Sequence, residues 1–318
     1  MPGEFRHLPV MVDEVVALFA PVPAGVVVDA TVGGGGHAAA LLDAHPHLYL
    51  LGIDRDRDAI AAAAARLAAY GDRARLHHAR FDALTAAVAA EAEHLGERPV
   101  TGVLFDLGVS SWQLDNPERG FSYRADAPLD MRMDRTGGPT AADVVNVYPE
   151  AELARVLRRY GDERFARRIA HAVVAARPVA TTGELAEIVR TAIPAAARRH
   201  GGHPAKRSFQ ALRIEVNGEL ASLAASIDRA LAVLAPGGRA VVLTYHSGED
   251  RIVKDRFHHA ATGGVTPPPG LPPPAGVHPS VRLLRPASRT PSVAEATTNR
   301  RAGSARLRAV EKLPEEAS

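Results

Sequence analysis

The chain has 318 residues, 46% of them hydrophobic, with no cysteine and a net charge of only +2. Lack of cysteine excludes disulfides, thiolate nucleophiles and thiolate zinc sites, and no apolar run reaches the roughly 18 residues of a membrane-spanning helix. Met1 to Val10 lacks the apolar stretch of a secretory signal, so the expectation is a cytoplasmic protein built as one large α/β domain or one domain carrying an insertion.

Val12, Val15, Val16 and Phe19 recur at helical spacing and predict a short amphipathic helix that Pro21 and Pro23 end. The chain is organised around the next stretch, Val26 to His37, which reads V-V-V-D-A-T-V-G-G-G-G-H. It predicts a buried strand, a tight glycine turn and the start of a helix at Ala38 to Leu42. Gly33-x-Gly35-x-x-Ala38 fits the glycine pattern of dinucleotide-binding turns, and Asp54 stands where a ribose-binding acid is expected. Leu48 to Ile53 reads as a second buried strand. The Ala-rich run to Tyr70 is a helix with Asp56 and Asp58 near its N-terminus. Arg75 to His78 is a weaker third strand, followed by Phe81-Asp82, and Val100 to Leu107 a fourth with Asp106 near its end. Strands alternating with helices imply a parallel doubly wound sheet. Ligands of such sheets bind beyond the strand carboxyl ends, where Asp29, Asp54, Phe81, Asp82 and Asp106 all fall.

The alternation then stops. Gly108 to Pro139 is polar and turn-rich, and three helical segments follow, near residues 150–159, 162–176 and 183–192. Thr182 is the expected N-cap of the third, with Pro178 and Pro194 as stops. Residues 150–213 hold 13 basic and 6 acidic side chains, whereas residues 1–149 hold 12 and 20, so a net +7 segment follows a net −8 one. Such a patch suggests a polyanion partner. Phe209, Leu212, Val216, Leu220, Leu223, Ile227, Leu231 and Leu234 predict one long helix, ended by Pro236-Gly-Gly238. Arg239 to Tyr245 returns to the sheet as strand five. Thr266 to Pro274 is a Pro-rich loop, and Val281 to Leu284 and Arg306 to Val310 are candidate final strands. The expected division is a core over 1–112, a helical insertion over 113–206, and a second core part over 207–318 with a basic C-terminal segment.

Two ligands suit the glycine turn. A nicotinamide dinucleotide would set its pyrophosphate on the helix N-terminus. S-adenosylmethionine has no phosphate, and its ammonium and sulfonium suit Asp29 and Asp106 better than a pyrophosphate does. In either case Asp54 would take ribose hydroxyls, and Phe81-Asp82 would offer the adenine an apolar face and an acceptor. The pairs His45/His47, His77/His78 and His258/His259 lack the spacing of metal ligands, so no metal site is expected.

The motifs then carry a resemblance. Asp29-Ala-Thr-Val-Gly33-Gly-Gly-Gly-His37 resembles the cofactor loop of the bacterial 16S rRNA cytosine-N4 methyltransferases, a family of class I S-adenosylmethionine-dependent enzymes. The likeness extends to His7-Leu-Pro-Val10, Gly52-Ile-Asp54, Phe105-Asp-Leu-Gly-Val-Ser-Ser111 and Arg119-Gly-Phe-Ser122. It continues through Leu129-Asp-Met-Arg-Met-Asp134, His203-Pro-Ala-Lys-Arg-Ser-Phe-Gln-Ala-Leu-Arg213 and His246-Ser-Gly-Glu-Asp-Arg251, nearly the whole chain in order. The chain departs from the family pattern at Gly248 and near Arg300 and Gly303.

The resemblance implies a Rossmann-like class I methyltransferase sheet with an inserted helical substrate-binding domain, S-adenosylmethionine as cofactor, and 16S rRNA of the small subunit as partner. The implied reaction is methylation of the exocyclic N4 of cytidine 1402 in the decoding region. Carried over by position, the cofactor contacts are Gly35, Gly36, His37, Asp54, Phe81, Asp106 and Gln113. The cytosine amine lone pair is delocalised into the ring, so the amine must be held in line with the methyl carbon, and the base must leave its stack. Asp106 and the turn through Ser110 are candidate acceptors for the amine protons, and His246 is a candidate for contact with the substrate or a released proton. Arg198, Arg199, Lys206 and Arg207 are the RNA-binding candidates, since arginine binds phosphates bidentately.

Overall fold

The computed structural model describes residues 9–198, 203–265, 276, 278–299 and 301–314. The first part of the chain runs α1 (Val12–Phe19), β1 (Gly25–Asp29), α2 (Gly36–Ala44), β2 (Leu48–Asp54), α3 (Arg57–Leu67), β3 (Ala74–His78), α4 (Leu84–Ala90), α5 (Ala92–Leu95) and β4 (Val100–Asp106). The middle is helical: α6 (Ser111–Asp115), α7 (Ala141–Val147), α8 (Glu150–Gly161), α9 (Ala166–Ala175), α10 (Thr182–Ala192), α11 (Ala195–Arg198) and α12 (Lys206–Asn217). The chain then returns through α13 (Leu223–Val233), β5 (Leu234–Thr244), α14 (Ser247–Ala261), β6 (Val281–Leu283), α15 (Val293–Thr298) and β7 (Arg306–Lys312).

The strands form one Rossmann-like sheet in the order β3-β2-β1-β4-β5-β7-β6. The first five strands pair in parallel, as the alternation with helices requires. The sheet is not parallel throughout. β7 runs antiparallel to both β5 and β6, which makes the sheet mixed. All five residues of β1 are buried, in keeping with its Val-Val-Val run. One face packs Val27, Leu104 and Val241 against Phe19 of α1. The other sets Leu50 and Val32 against Leu42, Ala63 and Leu67 from α2 and α3.

Two compact units result, one of Met1–Gly108 with Ser222–Ser318 and one of Val109–Ala221. The helical unit is therefore wider than the expected 113–206, and α12 belongs to it. Its own core gathers Met131, Val144, Val156, Ile169, Val189 and Phe209. The expected single helix from Phe209 to Leu234 is corrected to two. Gly218 takes φ 58° and closes α12 by donating its N–H to Ile214 and Glu215 carbonyls, a left-handed cap that glycine adopts without a Cβ clash. The apolar seam thus serves two cores: Phe209 and Leu212 face the helical one, while Leu223, Ile227 and Leu231 are buried in the sheet unit. The N-cap of α10 is Thr181, one residue before the expected Thr182. Thr182 is instead buried, its hydroxyl donating to Ala125 O. The Pro-rich stretch 266–274 and Arg300 lie outside the described residues. No described helix is long and apolar enough to cross a membrane.

Candidate functional site

Strands β1, β2 and β4 end in Asp29, Asp54 and Asp106, all in the sheet unit, and parallel neighbours bring those ends together. The chain turns out of β1 with Val32 donating to Ile53 O (2.9 Å) and Gly35 to Val32 O (2.8 Å). Gly33 and Gly35 hold φ of 52° and 74°, a region that a side chain would strain. His37 sits in the first turn of α2, with Nε2 2.9 Å from Val10 O and Nδ1 3.6 Å from Asp106 Oδ2.

Asp54 is fixed from both sides. Gly33 N–H donates to its Oδ2 (2.9 Å) and Asp56 N–H to its Oδ1 (2.8 Å). Each oxygen has further acceptor capacity, which matches two neighbouring hydroxyls of a ribose. Asp29 is 2% exposed and accepts from Thr31 N–H (3.2 Å). Burial pushes its carboxyl up to about 8, helped by the charges of Asp106 and Asp54 and opposed by the Thr31 amide. Burial also lifts Asp54 to about 6 against the pull of the Asp56 and Gly33 amides. Asp29 and Asp54 thus both resist ionising, and the charge of Asp106 adds to the repulsion at Asp29. A cation among them relieves that repulsion, whereas a pyrophosphate would add to it. The site therefore fits a cationic nucleoside such as S-adenosylmethionine and disfavours a dinucleotide.

The Asp106 side chain is 21% exposed, against 2% for Asp29. Its backbone N–H donates to Thr31 Oγ1 (2.6 Å), and its Oδ1 accepts from the Tyr245 hydroxyl (2.6 Å). Burial and the Asp106 charge hold the Tyr245 hydroxyl well above its ordinary range, so it stays a donor. Tyr245 was not singled out from the sequence. The structure brings it there because β5 pairs Leu243 with Asp106, and Tyr245 follows directly after that strand. Phe81 follows β3 in a short 3-10 turn and meets Phe105 of β4 edge-on, ring centres 6.1 Å apart.

Ser110 and Gln113 belong to the helical unit, where they close a capping box on α6: Ser110 N–H donates to Gln113 Oε1 (3.0 Å) and Gln113 N–H to Ser110 Oγ (3.2 Å). The Ser110 hydroxyl thus has a structural task. His246 caps α14: its Nδ1 accepts from the Gly248 and Glu249 amides (3.2 and 3.4 Å), and its Nε2 lies 3.2 Å from Glu249 Oε1. The Nδ1 of His246 thus has a capping task at the start of α14. Among the described residues no group of His, Asp or Glu is arranged to hold a metal ion.

Of the RNA candidates, Arg198 ends α11, while Lys206 and Arg207 open α12 and are exposed. Arg207 also donates to Asp162 O (3.2 Å). Arg199 lies outside the described residues. Arg155 and Arg190 are paired to Glu152 and Glu187 one helical turn away. Arg158, Arg159, Arg167 and Arg168 are exposed on α8 and α9.

A family model described as the MraW methylase family matches residues 4–313. A Thermobifida fusca protein named ribosomal RNA small subunit methyltransferase H is 55% identical over 316 residues, covering 97% of this chain and 94% of that protein. A Frankia alni protein of the same name is 54% identical over 314 residues, covering 96% and 95%. A solved structure described as an rRNA methylase from Streptococcus thermophilus aligns at a TM-score of 0.39 and 13% identity, covering 99% of both chains.

Proposed function

This chain belongs to the MraW methylase family, and from that premise we propose that it methylates the exocyclic N4 of cytidine 1402 in the decoding region of 16S rRNA. Its cofactor is S-adenosylmethionine, and it methylates small-subunit ribosomal RNA. Bound, the cofactor supplies an electrophilic methyl group on a sulfonium. Gly35, Gly36 and His37 line its loop, Asp54 accepts from its ribose, and Phe81 offers the adenine an apolar face. Asp29 and Asp106 offset its positive charge.

The observation that supports N4 chemistry is the Asp106 carboxylate, oriented through Oδ1 by the Tyr245 hydroxyl at 2.6 Å. Its remaining lone pairs could accept a hydrogen bond from the cytosine amine, which would fix the nitrogen and raise its electron density toward the methyl group a bound donor would supply. The same carboxylate would offset positive charge on that nitrogen and could take up the proton it releases. The helical unit serves as the RNA-recognition element, with Arg198, Arg199, Lys206 and Arg207 meeting phosphates.

Transfer of tritium from labelled donor to naked 16S rRNA and to small subunits, followed by nucleoside analysis, tests the reading. Label in N4-methylcytidine at position 1402 is expected. Label in another nucleoside would replace the assignment.

A further inference from the structure

We propose that Tyr123 and His203 form a stacking platform for a base of single-stranded RNA. This rests on the reading of the protein as an RNA methyltransferase and extends it to a base-contacting site in the helical unit. The two rings lie nearly parallel, 12° apart with centres separated by 4.3 Å. Beneath them Phe209 meets Tyr123 edge-on at 5.6 Å and is itself only 3% exposed. Tyr123 is thus anchored in the helical core, and His203 lies on top of it, exposed.

His203 is held in place. Its Nδ1 accepts from the Ala205 amide (3.2 Å), and its carbonyl accepts from Lys206 N–H (3.0 Å) as α12 begins. One ring face is covered by Tyr123, so the exposed area belongs to the other face and the ring edge. A flat π-surface held in one orientation at low entropic cost is what a nucleobase needs to continue a stack. The surroundings suit a polyanion: Arg124 follows Tyr123, Lys206 and Arg207 follow His203, and all three are exposed. Stacking is tolerant of base identity, so the platform would hold a base without reading it.

Binding of short oligoadenylate, and of an abasic ribose-phosphate oligomer of equal length, to the full chain tests this by fluorescence anisotropy over a salt series. Wild type is expected to bind oligoadenylate roughly ten-fold more tightly than the abasic oligomer. His203→Ala should abolish that preference, and His203→Phe, which keeps a flat ring, should restore it. The salt slope should stay the same in all three, because the phosphate contacts are untouched. Circular dichroism of each variant controls for folding. Equal binding of the two oligomers by wild type, or a preference that survives His203→Ala, would overturn the platform. Binding of neither would do the same, whereas the methyl-transfer reading stands or falls on the separate tritium experiment.

Discussion

At the scale of single residues, the site combines acids that resist ionisation with groups that hold them in place. Asp54→Ala should weaken S-adenosylmethionine binding by about 1–3 kcal/mol, the cost of leaving the ribose hydroxyls unpaired. An unchanged dissociation constant, measured by calorimetry, would remove Asp54 from the site. With its carboxyl raised to about 6, only the ionised form accepts two hydroxyl protons, so affinity should rise with pH through about 6. Asp29 acts in the opposite direction, on stability. Its folded value of about 8 exceeds the ordinary 3.8, so the folded chain binds this proton more tightly than the unfolded one. The stability it contributes is complete below about pH 4 and is lost as pH rises through about 8. Asp29→Asn keeps an acceptor for Thr31 N–H but cannot ionise. It should therefore raise the melting temperature more at pH 8 than at pH 5, and an equal gain at both would contradict the assignment. Tyr245→Phe removes one hydroxyl and keeps the ring. If that hydroxyl orients Asp106 toward the amine, single-turnover methyl transfer should slow by about ten-fold or more while donor affinity stays near wild type. A loss confined to donor affinity would make the pair a cofactor contact instead.

At the scale of elements, helix ends carry much of the local specification. Thr181 closes a capping box on α10: its hydroxyl accepts from Glu184 N–H, and the Glu184 side chain accepts from Thr181 N–H. Thr181→Ala should cost about 1 kcal/mol. The loss should appear as faster hydrogen exchange in the first turn of α10, with the β4 amides unaffected. Exchange rising equally in both would show that the cap acts on the whole fold. Gly218 explains why the periodicity from Phe209 to Leu234 misleads. Apolar spacing reports which side chains are buried, and it continues across a left-handed residue that ends one helix and lets another begin in a different core. His246 illustrates a related limit. A histidine after a strand can be read from the sequence as a reactive group or as a cap, and the α14 amides 3.2 and 3.4 Å from its Nδ1 show that it caps.

At the scale of the whole molecule, charge is segregated along the chain. Residues 150–213 carry a net +7, and Arg158, Arg159, Arg167, Arg168, Lys206 and Arg207 are exposed. Neutralising Arg198, Arg199, Lys206 and Arg207 together should raise the apparent KM for RNA. It should also flatten the salt dependence by about one log unit of slope per lost phosphate contact. Donor affinity should stay near wild type. An unaltered salt slope would move the RNA path elsewhere, first to the basic segment from Arg282 to Arg308.

The sequence by itself determined the strands β1, β2 and β4, the glycine turn after Asp29, and the presence of a helical insertion. These depend on local properties: β-branched runs, glycine's access to positive φ, and helical periodicity are all contained in neighbouring residues. The motifs from Asp29 to Arg251 also pointed to the methyltransferase family, because such motifs are stretches of consecutive residues. Only the tertiary structure decided that β7 turns back antiparallel beside β5, which depends on pairing across 62 residues between Thr244 and Arg306. It likewise decided that Tyr245 meets Asp106 139 positions away, and that Tyr123 stacks on His203. Contacts of that kind are set by which strand ends and helix faces the packed cores bring together, and no local pattern in the chain encodes them.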